Sequence, residues 1–267
     1  MSRPPVVLTV AGSDPSGGAG IQADLKTFSA LRTYGCAVLT SLTAQNTTGV
    51  TGIHPVPAPF VTQQISTLFD DVEVDSMKIG MLGSAQIAEA VHASITEVVT
   101  APVVLDPVMV STSGSALVDE DATEAIRRLL AVVTVVTPNL HEAAVLLGTE
   151  TATDLSTQVD QARALRELGA PRVLLKGGHG TGAEATDVWV DADQTVVLRA
   201  PRLDTMHTHG TGCTLSAALA ALYPQHQDWL SAARAAKTWL TGALEAGADL
   251  HLGKGSGPVH HFYDMWK

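Results

Sequence analysis

The chain has 267 residues, of which 45% are hydrophobic and only 4% are aromatic, so it suits one α/β domain with a large aliphatic core. Its formal net charge of -11 argues against a nucleic-acid surface or an anionic membrane as partner, although a local pocket of amides, one lysine and Mg²⁺ can still bind phosphates. The first apolar run is too short for a signal peptide, and no run approaches the roughly 20 apolar residues of a membrane helix.

Short apolar runs alternate with segments of helical period along the chain. The predicted elements are strand 6–10, helix 21–31, strand 37–42, a polar segment at 43–49, helix 61–69, strand 77–80, helix 85–99, strand 103–105, helix 122–130, strand 132–136, helices 142–147 and 159–168, strand 173–176, and a hairpin of strands 188–190 and 195–198. This alternation predicts a mostly parallel sheet with helices on both faces. We see no linker or repeat and expect one domain over 1–267.

Polar residues collect directly after the predicted strands, where open α/β sheets bind ligands. They are Asp106, Asn139, Glu142 and Lys176. Asp106 and Glu142 carry the hard oxygen atoms that Mg²⁺ prefers, and Lys176 is long enough to reach a phosphate oxygen. Each residue also has an ordinary structural interpretation: turn formers beside prolines, a charge at a helix start, and a surface lysine.

The run HTHGTGCTLS at 207–216 predicts a loop that turns into a helix. The helix has one apolar stripe, formed by Leu215, Ala218, Leu219 and Leu222. We expect Pro224 to end this helix. Gly210 and Gly212 then lie at its N-terminus, where unblocked backbone N–H groups and about half a positive charge from the helix dipole suit a phosphate.

Cys213 follows these glycines and would stand in the first helical turn, where a thiol pKa is lowered and a thiolate becomes accessible. The alternative is a buried cysteine that acts as a small hydrophobe. The second cysteine, Cys36, lies far away without metal-ligand spacing, and we expect a reducing cytoplasm. Together with the strand-end residues, the anion site favours phosphoryl transfer, which is mostly positioning and charge stabilisation.

Other patterns are weaker. The chain has no GxxxxGK[ST] motif, and the GxGxxA pattern at 178–183 precedes a predicted hairpin rather than a helix, which argues against a dinucleotide site. Four histidines lack a partner at metal-ligand spacing and are interpreted as loop and surface residues; they are His207, His209, His260 and His261. Gly114 is a candidate hinge for a flap over the substrate.

Seven motifs occur in order along the chain. They are GSDPSGGAGIQAD at 12–24, KIGML at 78–82, DPVM at 106–109, TPN at 137–139, KGGH at 176–179, HGTGCT at 209–214 and GKGSGPVHHF at 253–262. Together they resemble the hydroxymethylpyrimidine/phosphomethylpyrimidine kinases of thiamine biosynthesis, in the ribokinase-like superfamily, nearly end to end. The resemblance implies a three-layer α/β/α sandwich with a mostly parallel central sheet and a small flap.

The resemblance also implies two ATP-dependent steps at one site. The hydroxymethyl group of 4-amino-5-hydroxymethyl-2-methylpyrimidine becomes a monophosphate, and the monophosphate then becomes a diphosphate. The matching substrate positions are Gln45, Gly12, Asp24, Met81 and Val108. The matching positions for ATP are Asn139, Lys176, Thr208 and Thr211, and those for Mg²⁺ are Asp106 and Glu142. Relatives of this kind imply a homodimer.

The resemblance places Cys213 at the position where the broader sugar-kinase superfamily usually has Asp as the catalytic base. The closer relatives also have a cysteine there. Our hypothesis is that Cys213 takes the hydroxyl proton while the amides from Gly210 through Gly212 to Cys213 hold the phosphoryl group. The nearest alternative is a pyridoxal kinase, since pyridoxal also carries a hydroxymethyl group on a six-membered aza-aromatic ring. Gln45 favours the aminopyrimidine. A nucleotide-binding module without turnover is the alternative outside enzymes.

Overall fold

The computed structural model describes residues 3–109, 120–178 and 182–266. The strands are β1 (Val6–Ala11), β2 (Tyr34–Leu39), β3 (Ser41–Asn46), β4 (Gly49–Pro55), β5 (Ser76–Ile79), β6 (Val103–Leu105), β7 (Val135–Val136), β8 (Val173–Leu175), β9 (Glu184–Val190) and β10 (Thr195–Pro201). The helices are α1 (Gly20–Ala30), α2 (Ala58–Phe69), α3 (Ala85–Glu97), α4 (Glu120–Leu129), α5 (Leu140–Leu147), α6 (Leu155–Glu167), α7 (Thr211–His226) and α8 (Trp229–Glu245), followed by a 3₁₀ turn at Ala246–Leu250. The expected flap hinge at Gly114 lies outside the described residues.

Within those ranges, the main sheet has the strand order β10-β9-β8-β7-β6-β5-β1-β2. The strands from β2 across to β8 run parallel, whereas β9 is antiparallel to β8 and β10 is antiparallel to β9. The mostly parallel sheet and the hairpin predicted at 188–198 are therefore confirmed. Parallel strands point their carboxyl ends to one edge, which brings the polar strand-end residues together.

Helices cover both faces of this sheet. Successive side chains of a strand point to opposite faces, and β6 shows the result. Val103 and Leu105 pack in one apolar core with helices α2 to α6, while Val104 packs in a second core with α1, α7 and α8. The expected three-layer arrangement is thus confirmed, with the site-bearing α7 buried against one face of the sheet.

The strand predicted at 37–42 is wrong at its C-terminal end. Pairing with β1 stops at Leu39, and Ser41 already begins the hairpin of β3 and β4, which is a separate two-stranded sheet in the described part of the chain. The segment expected to be a polar loop at 43–49 lies mostly in this hairpin. Strand β4 is largely exposed, so its sequence lacks the apolar alternation of a half-buried strand.

Several other boundaries differ from expectation, and two of these differences have a local cause. The strand predicted at 132–136 shrinks to β7 because the amides of Val132 and Val133 donate to the carbonyl of Leu129 and close α4 in a turn. Helix α7 does not end at Pro224, since a proline in the last turn removes only its own N–H donor and the helix continues to His226. Helix α8, for which no element was predicted, packs on α7 through alanines.

A helix that crosses a membrane must be long and apolar enough to span the bilayer core. Among residues 3–109, 120–178 and 182–266, no helix is both long enough and apolar enough to cross a membrane.

Candidate active site

A cavity of about 1000 Å³ lies at the carboxyl ends of the parallel strands. The predicted site residues that line it are Gly12, Gln45, Met81, Asp106, Val108, Asn139, Glu142, Lys176, Thr208, Gly210, Thr211, Gly212 and Cys213. Residues from both ends of the sequence therefore face one space. Its size is at the upper end of the range for small-molecule sites.

The N-terminus of α7 opens into this cavity and forms what we call the anion notch (Gly210–Cys213). Gly210 has a φ of 74°, and a Cβ on it would lie 1.7 Å from the carbonyl oxygen of Gly18, so only glycine fits this close approach. Gly210 also offers no capping side chain to the first turn of the helix. Backbone N–H groups at such a helix start suit an anion, as predicted.

Lys176 supplies a positive charge beside the anion notch. Its Nζ donates to Oδ1 of Asp106 at 2.7 Å and lies 3.2 Å from where a Cβ on Gly212 would stand. Burial disfavours the charged amine, but Asp106 and Glu142 outweigh burial and raise the pKa of Lys176. Ser216 of α7 donates to Oδ2 of Asp106 at 3.2 Å, which ties this ion pair to the helix.

Asn139 and Glu142 form a reciprocal cap at the start of α5. The side chain of Asn139 accepts from the amide of Glu142 at 2.8 Å, and the carboxylate of Glu142 accepts from the amide of Asn139 at 2.8 Å. Burial raises the pKa of Glu142 to about 7, with Asp106 adding to the shift and Lys176 opposing it. From the sequence, Glu142 was interpreted either as a ligand for Mg²⁺ or as an ordinary charge at a helix start. The structure shows that it caps the helix and also borders the cavity.

Asp106 and Glu142 are the two carboxylates that were predicted to bind Mg²⁺, and both border the cavity. In the described ranges, no group of three or more histidine, cysteine or acidic side chains is arranged to hold a metal ion. Mg²⁺ usually keeps several waters and takes only one or two carboxylates together with substrate phosphates. Two buried carboxylates that border the same cavity as Lys176 fit that mode of binding.

Cys213 borders the cavity from the first turn of α7, yet its thiol differs from the sequence expectation. Burial raises the pKa of Cys213 to about 11; Lys78 opposes this shift, and Asp106 and Asp24 add to it. The prediction of a lowered thiol pKa is therefore wrong for this site. The helix start alone favours a thiolate, but desolvation and two nearby carboxylates outweigh it.

The opposite side of the cavity is formed by the β3–β4 hairpin and the loop after β1. Gln45 lies at a bulge, where the register with β4 shifts between Ala44 and Gln45. The hydroxyl of Thr43 donates to the carbonyl of Ser13 at 2.8 Å and lies 3.2 Å from Oε1 of Gln45, so it contacts the amide and restricts its orientation. Gln45 and Cys213 thus face the same space, from opposite ends of the sequence.

Asp24 is a correction. It was expected to contact substrate, but it is fully buried and does not line the cavity. Its carboxylate accepts from Nζ of Lys78 at 2.9 Å and from the hydroxyl of Thr9 at 2.6 Å. Burial disfavours the charge on Lys78, yet Asp24 outweighs it and raises the pKa of Lys78. A buried acid next to a buried amine stays paired. The role of Asp24 is therefore to hold Lys78 in the interior, and not to contact substrate.

A buried pair that the sequence did not indicate joins the two sides. Nε2 of His209 lies 2.8 Å from Oδ2 of Asp14, although 195 residues separate them in sequence. Asp14 also accepts from the amides of Ser16 and Ala19. Burial opposes its ionisation, but these hydrogen bonds lower the pKa of Asp14 to about 2. The aspartate lies in a quoted motif, yet nothing local marks a partner so far along the chain.

The interpretation of the histidines as surface residues is wrong for three of them, although all three lie in loops as expected. His209, His260 and His261 are buried, with 5%, 9% and 4% of their surface exposed. Nε2 of His261 lies 3.1 Å from the hydroxyl of Thr214 in α7, and burial lowers the pKa of His261 to about 3. Tertiary packing of the C-terminal segment on α7 explains the difference.

A second ion pair was missed with helix α8. Nζ of Lys237 donates to Oδ2 of Asp187 at 2.6 Å, and Oδ1 of Asp187 accepts from the amide of Gly177 at 3.0 Å. Both charged residues border the cavity. The pair fixes the backbone that follows Lys176. Because no helix was predicted at 229–245, Lys237 had no expected position near the cavity.

Comparisons with known proteins agree with this geometry. The phosphomethylpyrimidine kinase family matches residues 14–260. The chain is 49% identical over 260 residues to the hydroxymethylpyrimidine/phosphomethylpyrimidine kinase of Salmonella typhimurium, covering 97% of this chain and 98% of that protein. It is 48% identical to the thiamine biosynthesis multifunctional protein ThiED of Corynebacterium efficiens, covering 97% of this chain and 35% of that longer protein.

A solved structure shares the whole fold. The ADP complex of Bacillus subtilis pyridoxal kinase superposes with a TM-score of 0.91 at 35% sequence identity, covering 99% of this chain and 100% of that chain. This likeness confirms the expected ribokinase-like fold. The match over residues 14–260 and the identity over nearly the full length carry the assignment further. The chain belongs to the phosphomethylpyrimidine kinase family.

Proposed function

We propose that this chain transfers the terminal phosphoryl group of ATP to the hydroxymethyl group of 4-amino-5-hydroxymethyl-2-methylpyrimidine, and then a second phosphoryl group to the monophosphate, in thiamine biosynthesis. One observation carries the proposal. An amide side chain, Gln45, faces the anion notch and Lys176 across a single cavity, so an alcohol and a nucleotide can meet there. Family membership supports the same reaction.

The acceptor side would bind the pyrimidine. An amide both donates and accepts hydrogen bonds, which matches the donor and acceptor edge of an aminopyrimidine. Gln45, whose orientation Thr43 restricts, can therefore read the ring, while Met81, Val108 and Gly12 border the same space. The hydroxymethyl group would then point toward the anion notch.

The nucleotide side would hold the phosphates. The anion notch and Lys176 offer N–H donors and positive charge where negative charge develops during transfer, and Asn139, Thr208 and Thr211 border the adjoining space. Asp106 and Glu142 would hold Mg²⁺ there. A Mg²⁺ ion held by these carboxylates would supply positive charge that offsets the negative charge of the phosphates.

Cys213 is proposed as the group that receives the hydroxyl proton. With a pKa of about 11, the resting side chain is a thiol at neutral pH, so only its thiolate fraction can act as base. The rate should then rise with pH above 7, and Cys213→Asp, with a lower pKa, should flatten the profile while keeping some activity. Full turnover by Cys213→Ala at every pH would rule out this role.

A pyridoxal kinase is the second candidate, because the structure of a pyridoxal kinase shares the fold at a TM-score of 0.91. A product assay with the aminopyrimidine and pyridoxal side by side separates the candidates. We expect mono- and diphosphate from the pyrimidine alcohol and a lower kcat/KM for pyridoxal. ATP consumption that does not depend on either alcohol would leave only a nucleotide-binding module.

Two further proposals concern the setting of the enzyme. We propose a homodimer, supported by apolar side chains on the β3–β4 hairpin, where Leu42 and Ile53 are each 47% exposed. Sedimentation velocity measures the mass in solution.

We also propose a cytoplasmic location, supported by Cys36 and Cys213, which are both free thiols.

A further inference from the structure

The C-terminal motif at 253–262 has no role in the reaction described above, yet part of it touches both sides of the cavity. We call residues 253–258 the strap. Its backbone lies against the turn of the β3–β4 hairpin at one end and against the loop that precedes α7 at the other. It is thus a physical connection between the acceptor side and the nucleotide side.

At the hairpin, the strap is held by Thr47. The hydroxyl oxygen of Thr47 accepts from the amides of Lys254 and Gly255, each at 3.2 Å. A Cβ on Gly255 would lie 2.0 Å from the carbonyl oxygen of Thr47, so the two backbones are in direct contact. Thr47 is two residues from Gln45, so the strap contacts the hairpin close to that amide.

At the nucleotide side, the strap is held by Ser256 and Gly257. The hydroxyl of Ser256 donates to the carbonyl of Met206 at 2.9 Å and lies 3.1 Å from the hydroxyl of Thr208. The amide of His209 donates to the carbonyl of Gly257 at 3.0 Å. These contacts fix the loop directly before the anion notch.

The two ends of the strap differ in how firmly they are anchored. Beyond the strap, Val259 is fully buried and the amide of His260 donates to the carbonyl of Ala243 in α8 at 2.8 Å, so this end is fixed to the core. The hairpin, in contrast, pairs with no strand of the main sheet within the described residues, and its first strand is held by hydrogen bonds to Ser13 in the loop after β1. The strap therefore joins the turn of this hairpin to a segment that is fixed in the core.

We propose that the strap positions the hairpin turn relative to the anion notch, with Thr47 and Ser256 as positioning residues that set the spacing between Gln45 and the transferred phosphoryl group. The kinetic part of this inference rests on the proposed function. The structural part does not, because it states only that the hairpin turn and the loop at 206–209 are held through one segment.

The first test is hydrogen–deuterium exchange without substrates. Thr47→Val keeps the shape of the side chain and removes the acceptor, Thr47→Ser keeps the acceptor, and Thr51→Val removes a hydroxyl that donates to the carbonyl of Ala44 within the hairpin. We expect Thr47→Val to speed exchange about fivefold both at 44–50 and at 253–258, since it loses two net hydrogen bonds of modest strength between them, while 206–209 stays unchanged. Thr47→Ser and Thr51→Val should leave 253–258 unchanged.

Faster exchange at the hairpin alone, without 253–258, or an equal effect of Thr51→Val at 253–258, would overturn the proposal. A second variant guards against misfolding at Thr47. Gly255→Ala should push the strap away from the hairpin and give the same pattern, whereas a Cβ on Gly52, in the same hairpin, meets only ordinary contact at 3.7 Å. Gly52→Ala is therefore the matched control.

The second test is kinetic. We expect Thr47→Val to raise the KM for the pyrimidine alcohol about fivefold while kcat changes less than twofold, because positioning of the acceptor is lost and the nucleotide groups remain. Thr47→Ser should restore the wild-type KM. An unchanged KM in Thr47→Val would overturn the positioning role. Should the wild-type chain fail to phosphorylate the pyrimidine while the exchange pattern holds, the proposed function fails and the strap remains.

Discussion

The nucleotide side and the acceptor side of the cavity are built in different ways. On the nucleotide side, Lys176, Asp106 and Glu142 are 9%, 1% and 5% exposed, and each is held by at least one short hydrogen bond. The acceptor side depends on the β3–β4 hairpin, whose second strand is largely exposed. A rigid charged half therefore faces a half that depends on a hairpin outside the main sheet. Preorganised charge is what phosphoryl transfer needs, whereas recognition of a small ring needs only correct placement of one amide.

The largest expected effect breaks the rigid half. Lys176→Met removes the positive charge beside the anion notch and leaves buried Asp106 without its cation. We expect kcat/KM to fall about 1000-fold, in the range seen when one donor to developing charge is removed. Steady-state kinetics measure this loss, with thermal unfolding recorded in the same buffer.

Arg128→Met is the control for Lys176→Met, because Arg128 makes only an exposed ion pair with Glu89 at 3.0 Å. We expect its kcat/KM to match that of the wild type. A decrease of less than tenfold in Lys176→Met would contradict the assignment of Lys176 to the phosphates.

A smaller effect tests the acceptor half. Gln45→Leu keeps the size of the side chain and removes the hydrogen bonds to the ring. We expect the KM for the pyrimidine alcohol to rise about 30-fold, which corresponds to about 2 kcal/mol of unpaired polar groups. The KM for ATP should stay within twofold. Equal increases in both KM values would mean that the two halves cannot be perturbed separately.

The smallest effect concerns the pair that joins the halves. The pKa of Asp14 is lowered from 3.8 to about 2 in the folded state, so its contribution to stability is complete above pH 4 and is lost as pH falls toward 2. We expect Asp14→Asn to lower the free energy of unfolding by about 2 kcal/mol at pH 7 and by about half of that at pH 3. Urea unfolding at both pH values measures the difference.

Asp160→Asn serves as the reference for Asp14→Asn, since Asp160 is exposed and lies 4.0 Å from Arg163. We expect no measurable change from it. A penalty for Asp14→Asn that is equal at pH 7 and pH 3 would show that packing, and not the charge that meets His209, holds the two loops together.

Much of the rigid half could be predicted from the sequence. Asp106, Asn139 and Lys176 each follow a strongly apolar strand, and the rule for parallel sheets places such residues at one edge. The glycines before α7 carry a local signal for a helix start that binds an anion. The strand order and the two apolar cores follow from the same alternation of strands and helices.

The remaining features depend on contacts that a linear pattern does not contain. The hairpin lacks an apolar face, helix α8 is rich in alanine, and His209 meets a partner near residue 14 only after folding. The pKa of Cys213 was predicted in the wrong direction because the helix start is local, whereas its burial and the nearby carboxylates of Asp106 and Asp24 depend on segments distant in sequence. The single domain over 1–267 and the roles of individual site residues stay predictions.

The anion notch presents backbone N–H groups, which every residue except proline possesses. Mutation of a neighbouring side chain leaves those donors in place as long as Gly210 keeps its backbone conformation. Selection can therefore exchange the alcohol by rebuilding an exposed hairpin, without reinventing the chemistry of phosphate capture. This chain is similar both to a hydroxymethylpyrimidine/phosphomethylpyrimidine kinase and to a pyridoxal kinase. Such a pair of relatives is expected when the phosphate-binding backbone is kept and the hairpin changes.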